Sequence, residues 1–182
     1  MPMRTLLLSL SLLLSANLLA QDMDANGIMP KHELKLNATN LIVAAYLDGA
    51  YEYLLNEESS VGVGLLLGLG EDDILDGYRT FSLTPYYRQF FSKGYAKGFF
   101  VEGFGMLNSG TTDDYIFDSF PDDGTYVEDN YTAVAFGISI GGKFVTKRGF
   151  VAELYTGVGR NLIGTDWPDF VGRGGVSLGY RF

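Results

Sequence analysis

From Ser60 to Gly70 the chain alternates: Val61, Val63, Leu65, Leu67 and Leu69 fall on one side of an extended backbone, and Gly62, Gly64, Leu66, Gly68 and Gly70 on the other. A side-chain period of two marks a β-strand with two unlike faces. The pattern returns along the chain. Phe81, Leu83 and Tyr87 oppose Ser82, Thr84, Tyr86 and Arg88; Val134, Phe136, Ile138 and Ile140 oppose Ala135, Gly137, Ser139 and Lys143; Val176, Leu178, Tyr180 and Phe182 oppose Gly175, Ser177, Gly179 and Arg181. From Glu33 onward no stretch of a dozen residues keeps the 3.6 period of a helix. Clusters of Gly, Asp, Asn or Ser separate eight runs, Leu34–Asn40, Asp48–Leu55, Ser60–Gly70, Tyr78–Phe90, Gly98–Leu107, Tyr131–Lys143, Gly149–Gly159 and Arg173–Phe182. The expected fold is all-β, an eight-stranded antiparallel up-and-down barrel, with strands near the roughly 9 to 11 residues that a tilted strand needs to cross a bilayer.

The connections alternate in length. Asn56–Ser59, Phe91–Lys97 and Thr146–Arg148 are short, whereas Glu71–Gly77, Asn108–Asn130 and Asn161–Gly172 are longer. Asn108–Asn130 holds Asp113, Asp114, Asp118, Asp122, Asp123, Glu128 and Asp129 with no Lys or Arg, and is expected to be a long loop. A meander with both termini on one side puts short turns there and long polar connections opposite, the layout of a transmembrane barrel. The first hairpin, around Leu41–Leu47, is poorly marked.

Alternation does not say which face is inside, because a soluble ligand-binding barrel has the same period with its apolar face inward. Composition decides. The polar face is mostly Gly, Ala, Ser and Thr, with about one charge per strand: Lys35, Glu52, Arg88, Glu102, Lys143, Glu153 and Arg181. A water-facing exterior carries roughly 25–35% charged residues, whereas a narrow eight-strand interior takes small side chains with occasional large ones. The apolar face therefore turns outward, to lipid. The run Gly98–Leu107 fits this division least well, because Glu102 shares its face with Phe100 and Phe104. Tyr51, Tyr53, Tyr78, Tyr86, Tyr87, Tyr155 and Tyr180 would supply aromatic girdles.

Seven charges cannot sit unpaired in a space that side chains fill. Hairpin symmetry sets Arg88 opposite Glu102 and Lys143 near Glu153, and closure brings Lys35, Glu52 and Arg181 onto neighbouring strands. The expectation is an interior salt-bridge network that fills the barrel and fixes its register. Within it Glu102→Gln would strand Arg88, at a cost on the order of 3 kcal/mol.

The N-terminus reads as an address. Arg4, the Leu-rich run Leu6–Leu14 and the small residues Ser15, Ala16 and Ala20 make residues 1–20 a cleavable signal peptide; residues 21–33 form an N-terminal segment and 34–182 the barrel. A chain of 182 residues is one domain, the lack of Cys excludes disulfides and thiolate metal sites, and a net charge of -9 argues against nucleic acid. No cofactor motif is present. Catalysis is not expected, since the only histidine, His32, stands just before the first strand with no Ser-His-Asp set. The acidic clusters Glu71-Asp72-Asp73 with Asp76, Asp113-Asp114 and Asp122-Asp123-Gly124 suit a hard cation, but none has EF-hand spacing, and solvated loops are the simpler reading.

The last run, Gly175 to Phe182, resembles the terminal strand of bacterial outer-membrane barrels, with Val176, Leu178, Tyr180 and the C-terminal aromatic Phe182 as an assembly signal. Together with the signal peptide, Lys35–Leu41 and Tyr51-Glu52-Tyr53, the chain resembles a small outer-membrane β-barrel family of Bacteroidota, a domain of unknown function similar in architecture to OmpA and OmpX. The resemblance implies the fold and an outer-membrane location, and the terminal strand implies recognition by the barrel-assembly machinery; the reading that goes with it is a monomer in contact with membrane lipid and lipopolysaccharide, in a structural or surface-interaction role. Two alternatives stand beside it: a soluble periplasmic lipocalin-like barrel that binds an apolar ligand, and an outer-membrane lipid-modifying enzyme.

Overall fold

The alternating runs become eight strands: β1 His32–Asn37, β2 Tyr46–Leu54, β3 Ser59–Gly68, β4 Phe81–Phe90, β5 Gly98–Ile116, β6 Thr125–Val145, β7 Phe150–Gly164 and β8 Phe170–Arg181. Each pairs antiparallel with its neighbours in sequence, and β8 returns to β1, so the sheet closes as an up-and-down barrel. The structure is a computed structural model that describes residues 30–69, 79–116, 125–164 and 169–182. The expected signal peptide, the start of the N-terminal segment, Glu71–Gly77, Asp118, Asp122 and Asp123 lie outside the described residues. Barrel residues begin at His32, so the end of the expected N-terminal segment belongs to β1.

Both ends of the barrel sequence lie together: the His32 amide donates to the Phe182 carbonyl (3.0 Å) and the Phe182 amide to the His32 carbonyl (2.8 Å). The short turns β2–β3, β4–β5 and β6–β7 share this end, as the connection lengths predict.

Three stretches differ from the sequence reading, one of them the expected loop Asn161–Gly172, of which Asn161–Gly164 continue β7 and Phe170–Gly172 open β8. β1 stops at Asn37 rather than Asn40, and Ala38–Val43 form a short helix, α1. Asn37 explains the stop: its side chain accepts from the Asn40 amide (3.2 Å), and Asn is among the preferred N-caps. Because β1 is short, it pairs with β8 only from Glu33–Arg181 to Asn37–Ser177, and α1 packs against the parts of β2 and β8 beyond it. The Val176 amide donates to Thr39 Oγ1 (2.9 Å) across that junction.

The third difference is the expected loop Asn108–Asn130. Residues Asn108–Ile116 continue β5 and Thr125–Asn130 belong to β6; beyond Ser109 and Ala133 these two strands pair only with each other, ending at Ile116–Thr125. The acidic residues suggested a loop, but the interleaved Thr111, Thr112, Tyr115, Ile116, Tyr126 and Val127 are strand formers. The register places Asp113 opposite Glu128.

The faces turn as expected, except that Tyr86 and Tyr155, assigned by the sequence to the aromatic girdles, point into the barrel and are buried there, on the same parity as the inward charges. Val61, Val63, Leu65, Leu83, Tyr87, Ile138, Ile140, Val176, Leu178 and Phe182 are exposed, while Leu66, Ser82, Thr84, Tyr86, Arg88, Ala135, Ser139 and Lys143 are buried. β5 is also regular: Phe100, Glu102, Phe104 and Met106 are all buried. Its large inward side chains fill space that glycines leave on neighbouring strands. The Phe104 ring packs where Gly137 and Gly159 lack a Cβ, Phe100 against Gly141, and the Tyr86 ring against Gly62. Small and large residues interdigitate in this way inside a narrow barrel.

Candidate functional site

The inward positions converge on one cluster of charge. Arg88, on β4, lies at its centre: Nε donates to Glu102 Oε2 (2.6 Å), and Nη1 donates to Glu52 Oε2 (3.0 Å) and to both oxygens of Glu153 (2.9 Å each). Its guanidinium carbon stands 4.2 Å from the Phe100 ring centre and 4.7 Å from that of Tyr86. Lys143 Nζ donates to Glu52 Oε1 (2.6 Å) and Glu33 Oε2 (2.8 Å), and lies 3.3 Å from Glu153. Lys35 Nζ donates to Glu153 Oε1 (2.8 Å) and also to Glu52. Towards the chain termini Arg181 pairs with Glu33 (2.6 Å); towards the other end Arg173 pairs with Glu102 (2.8 Å). Hydroxyls complete the carboxylates: Ser60 and Tyr86 donate to Glu52 (2.6 and 3.2 Å), and Ser139 to Glu102 (3.0 Å).

All seven charged residues expected inside are therefore in one network, including the Arg88–Glu102 and Lys143–Glu153 pairs given by register. One inference from the sequence is corrected. Glu102→Gln would not strand Arg88, because Glu52 and Glu153 hold the same guanidinium. Two members were missed. Glu33 sits two residues before Lys35 and Arg173 eight before Arg181, so each shares an inward face with a residue already assigned there. The period of two was enough to find both.

Oxygens of Glu33, Glu52 and Glu153 lie within 4.8 Å of one another, close enough for a divalent cation. The ammonium groups of Lys35 and Lys143 already lie against all three carboxylates, so the positive charge the cluster needs comes from the protein itself. His32 is at the rim. One ring nitrogen shares a hydrogen bond with Tyr51 Oη (2.6 Å), and the ring stacks on Phe182 at 5.8 Å between centres. Its neighbours are aromatic, which suits an anchoring role.

Nearer the other end, a cavity of about 20 Å³ is lined by Asn40, Asp48, Gly64, Leu66, Arg79, Ser82, Thr84, Met106 and Arg173. Fold and interior together define a closed eight-stranded barrel with a charge-filled core. No family model, curated protein or solved structure matches the chain.

Proposed function

We propose that the protein is an integral outer-membrane β-barrel with a side-chain-filled interior, serving a structural or surface-interaction role without catalysis. The observation that carries this reading is the inversion of the two faces. Large apolar side chains project outward around the wall, from Leu34 through Tyr51, Val63, Leu83, Phe99, Ile138 and Leu154 to Leu178, with Ile138 63% and Leu154 62% exposed, while the charges are inside. Hydrophobic burial drives water-soluble folds the other way, and an apolar surface of this extent is stable only against hydrocarbon or another apolar surface. In a closed barrel every backbone group of the wall is paired within the sheet, which a bilayer demands.

The alternative of a lipocalin-like binder requires an apolar inward face; here a lipid's place is taken by Arg88, Lys143 and four glutamates. Wide-channel transport is disfavoured for the same reason. The β5–β6 ribbon, with Asp113, Asp114, Glu128 and Asp129, is the acidic element that would meet the cell surface; contact with anionic lipopolysaccharide would use bridging divalent cations. Val176, Leu178 and Tyr180 of β8, with Phe182 just beyond it, would form the signal for barrel assembly.

The test is to refold residues 21–182 into detergent and compare gel mobility in SDS before and after boiling. A heat-dependent shift is expected. A protein that stays monomeric in buffer without detergent and shows no shift would reverse the reading in favour of a soluble binder.

A further inference from the structure

The two ends of the barrel differ in charge. At the end where His32 meets Phe182, the exposed charged residues among those described are Lys31, Lys93, Lys97, Lys147 and Arg148 against Glu57 and Glu58. At the other end the stretch Asn108–Asn130 has seven carboxylates and no Lys or Arg. Four of the cations stand in the turns Phe91–Lys97 and Thr146–Arg148, which are neighbours because β5 and β6 pair from Gly98–Lys143 onward. Neither turn contains an acidic residue, and none of Lys93, Lys97, Lys147 and Arg148 is in an ion pair with a described residue. The Ala96 and Phe90 amides donate to the Glu57 and Glu58 carbonyls (2.7 Å each), so the acidic β2–β3 turn flanks this basic patch and bounds it on the β3 side.

The wall beside the two turns is aromatic. Phe91, Phe99, Phe144 and Phe150 are all exposed, Phe144 to 72%, and the Phe91 and Phe99 rings lie 6.2 Å apart between centres. Rings that end an apolar wall mark the boundary between hydrocarbon and headgroups. Lys93, Lys97 and Arg148 are two residues beyond the nearest of these rings and Lys147 is three, at most about 10 Å of extended chain. A headgroup layer is roughly 5–8 Å thick, so the cations fall at the depth of lipid phosphates. Their stems can lie along the apolar belt while the charges reach the polar layer.

We propose that these two turns form a binding surface for the headgroups of anionic phospholipids, with the four Phe rings on the acyl chains and Lys93, Lys97, Lys147 and Arg148 on the phosphates. This rests on the membrane reading above and gives one end of the barrel a lipid partner that the neutral wall does not select. The surface is one-sided. The acidic stretch at the other end repels the same lipids, so an anionic leaflet favours one end of the barrel over the other.

The test puts a fluorescent reporter in the aromatic belt. With the single natural tryptophan removed by Trp167→Phe, Phe99→Trp reports beside the patch and Leu83→Trp reports from the wall away from it. The barrel is refolded into dioleoyl phosphatidylcholine vesicles in which brominated phosphatidylglycerol or brominated phosphatidylcholine replaces the same minor fraction of lipid. Bromine quenches tryptophan on contact, so the ratio of the two quenching constants reads the local enrichment of the anionic lipid. A cation near an anionic headgroup is worth about fivefold in association, and that enrichment is expected with Phe99→Trp. It should fall towards parity in about 1 M NaCl, where charges are screened beyond about 3 Å. Leu83→Trp is expected to show no preference. Replacing Lys93, Lys97, Lys147 and Arg148 by Gln is expected to abolish the enrichment. Should that variant fail to refold, Lys97→Gln alone, the change nearest the reporter, takes its place with a loss of at least about twofold. Equal quenching by the two lipids at Phe99→Trp, or an enrichment that survives the Gln replacements or the salt, overturns this proposal and leaves the membrane reading standing. Absence of quenching by either lipid overturns both.

Discussion

Replacing Glu52 by Gln removes one charge and almost no volume, and it tests whether the interior network holds the barrel together. Glu52 touches Lys35, lies 2.6 Å from Lys143 and 3.0 Å from Arg88, and is near the carboxylates of Glu33 and Glu153, within 4.8 Å. At an effective dielectric constant of about 20, each attraction near 3 Å is worth about 5 kcal/mol and each repulsion near 5 Å about 3 kcal/mol. Three attractions against two repulsions leave about 9 kcal/mol, and the desolvation no longer needed by a neutral side chain returns several of these. A loss of about 4 kcal/mol remains, within the range of about 3–5 kcal/mol found when one partner of a buried ion pair is removed. The contrasting variant is Lys35→Met. It leaves Glu52 with Lys143 and Arg88, and Glu153 with Arg88 and Lys143, so every carboxylate of the network stays paired, with Arg88, Lys143, Arg173 and Arg181 against Glu33, Glu52, Glu102 and Glu153. Its expected loss is below about 2 kcal/mol. The assay is urea unfolding of the refolded barrel followed by tyrosine fluorescence, with the temperature of gel-mobility change as a second reading. The reasoning is refuted if Lys35→Met destabilises as much as Glu52→Gln, or if Glu52→Gln unfolds with the wild type.

Glu102→Gln is expected to cost less than Glu52→Gln, about 1–2 kcal/mol, because Arg88 keeps two carboxylates and only Arg173 loses its partner; equal midpoints for the two glutamine variants would show the network ranked wrongly. Gly141→Ala would drive a Cβ to 2.6 Å from the Phe100 ring and 2.7 Å from the Tyr155 Cβ, so a loss of about 1–3 kcal/mol in the same titration is expected, partly recovered by Phe100→Leu. Ile138→Arg separates the membrane reading from the soluble one. On an outward position of β6 at bilayer depth it should cost about 2–4 kcal/mol in lipid vesicles, whereas a water-facing position would tolerate it within about 0.5 kcal/mol.

Most of the wall was legible from residue parity. Once Val61 to Leu69 fixed one face, the same count assigned Arg88, Glu102, Lys143 and Glu153 inward, and hairpin symmetry then gave their partners. Glu33 and Arg173 were equally available by parity; Glu33 was missed because the first strand was started at Leu34, and Arg173 although it opened the expected last strand on the inward parity of Arg181. Other features were hidden for physical reasons. Asn37-Ala-Thr-Asn40 is compatible with an extended strand, and only the N-cap hydrogen bond decides for a helix. The β5–β6 extension carries acidic residues that local reading assigns to loops, although pairing along the whole hairpin overrides that preference. The cavity at Arg79 depends on contacts among six separate elements, which no local pattern encodes.

Seen strand by strand, the charges do more than fill the lumen. Glu33 and Lys35 come from β1, Glu52 from β2, Ser60 from β3, Arg88 from β4, Glu102 from β5, Ser139 and Lys143 from β6, Glu153 from β7, and Arg173 and Arg181 from β8. Every strand of the wall therefore ties to the centre. A slip of one residue in any pairing would turn that strand's polar member outward and an apolar neighbour in, because side chains alternate with a period of two. In a wall facing hydrocarbon the slip would also place a charge in the bilayer, at about 2–4 kcal/mol for a cation at mid-depth, on top of breaking its buried pair. The same residues that fill the centre of the barrel thus specify one register. The need is greatest at the β1–β8 seam, where short pairing ends at Asn37 and Glu33–Arg181 supplies a side-chain tie across the closure.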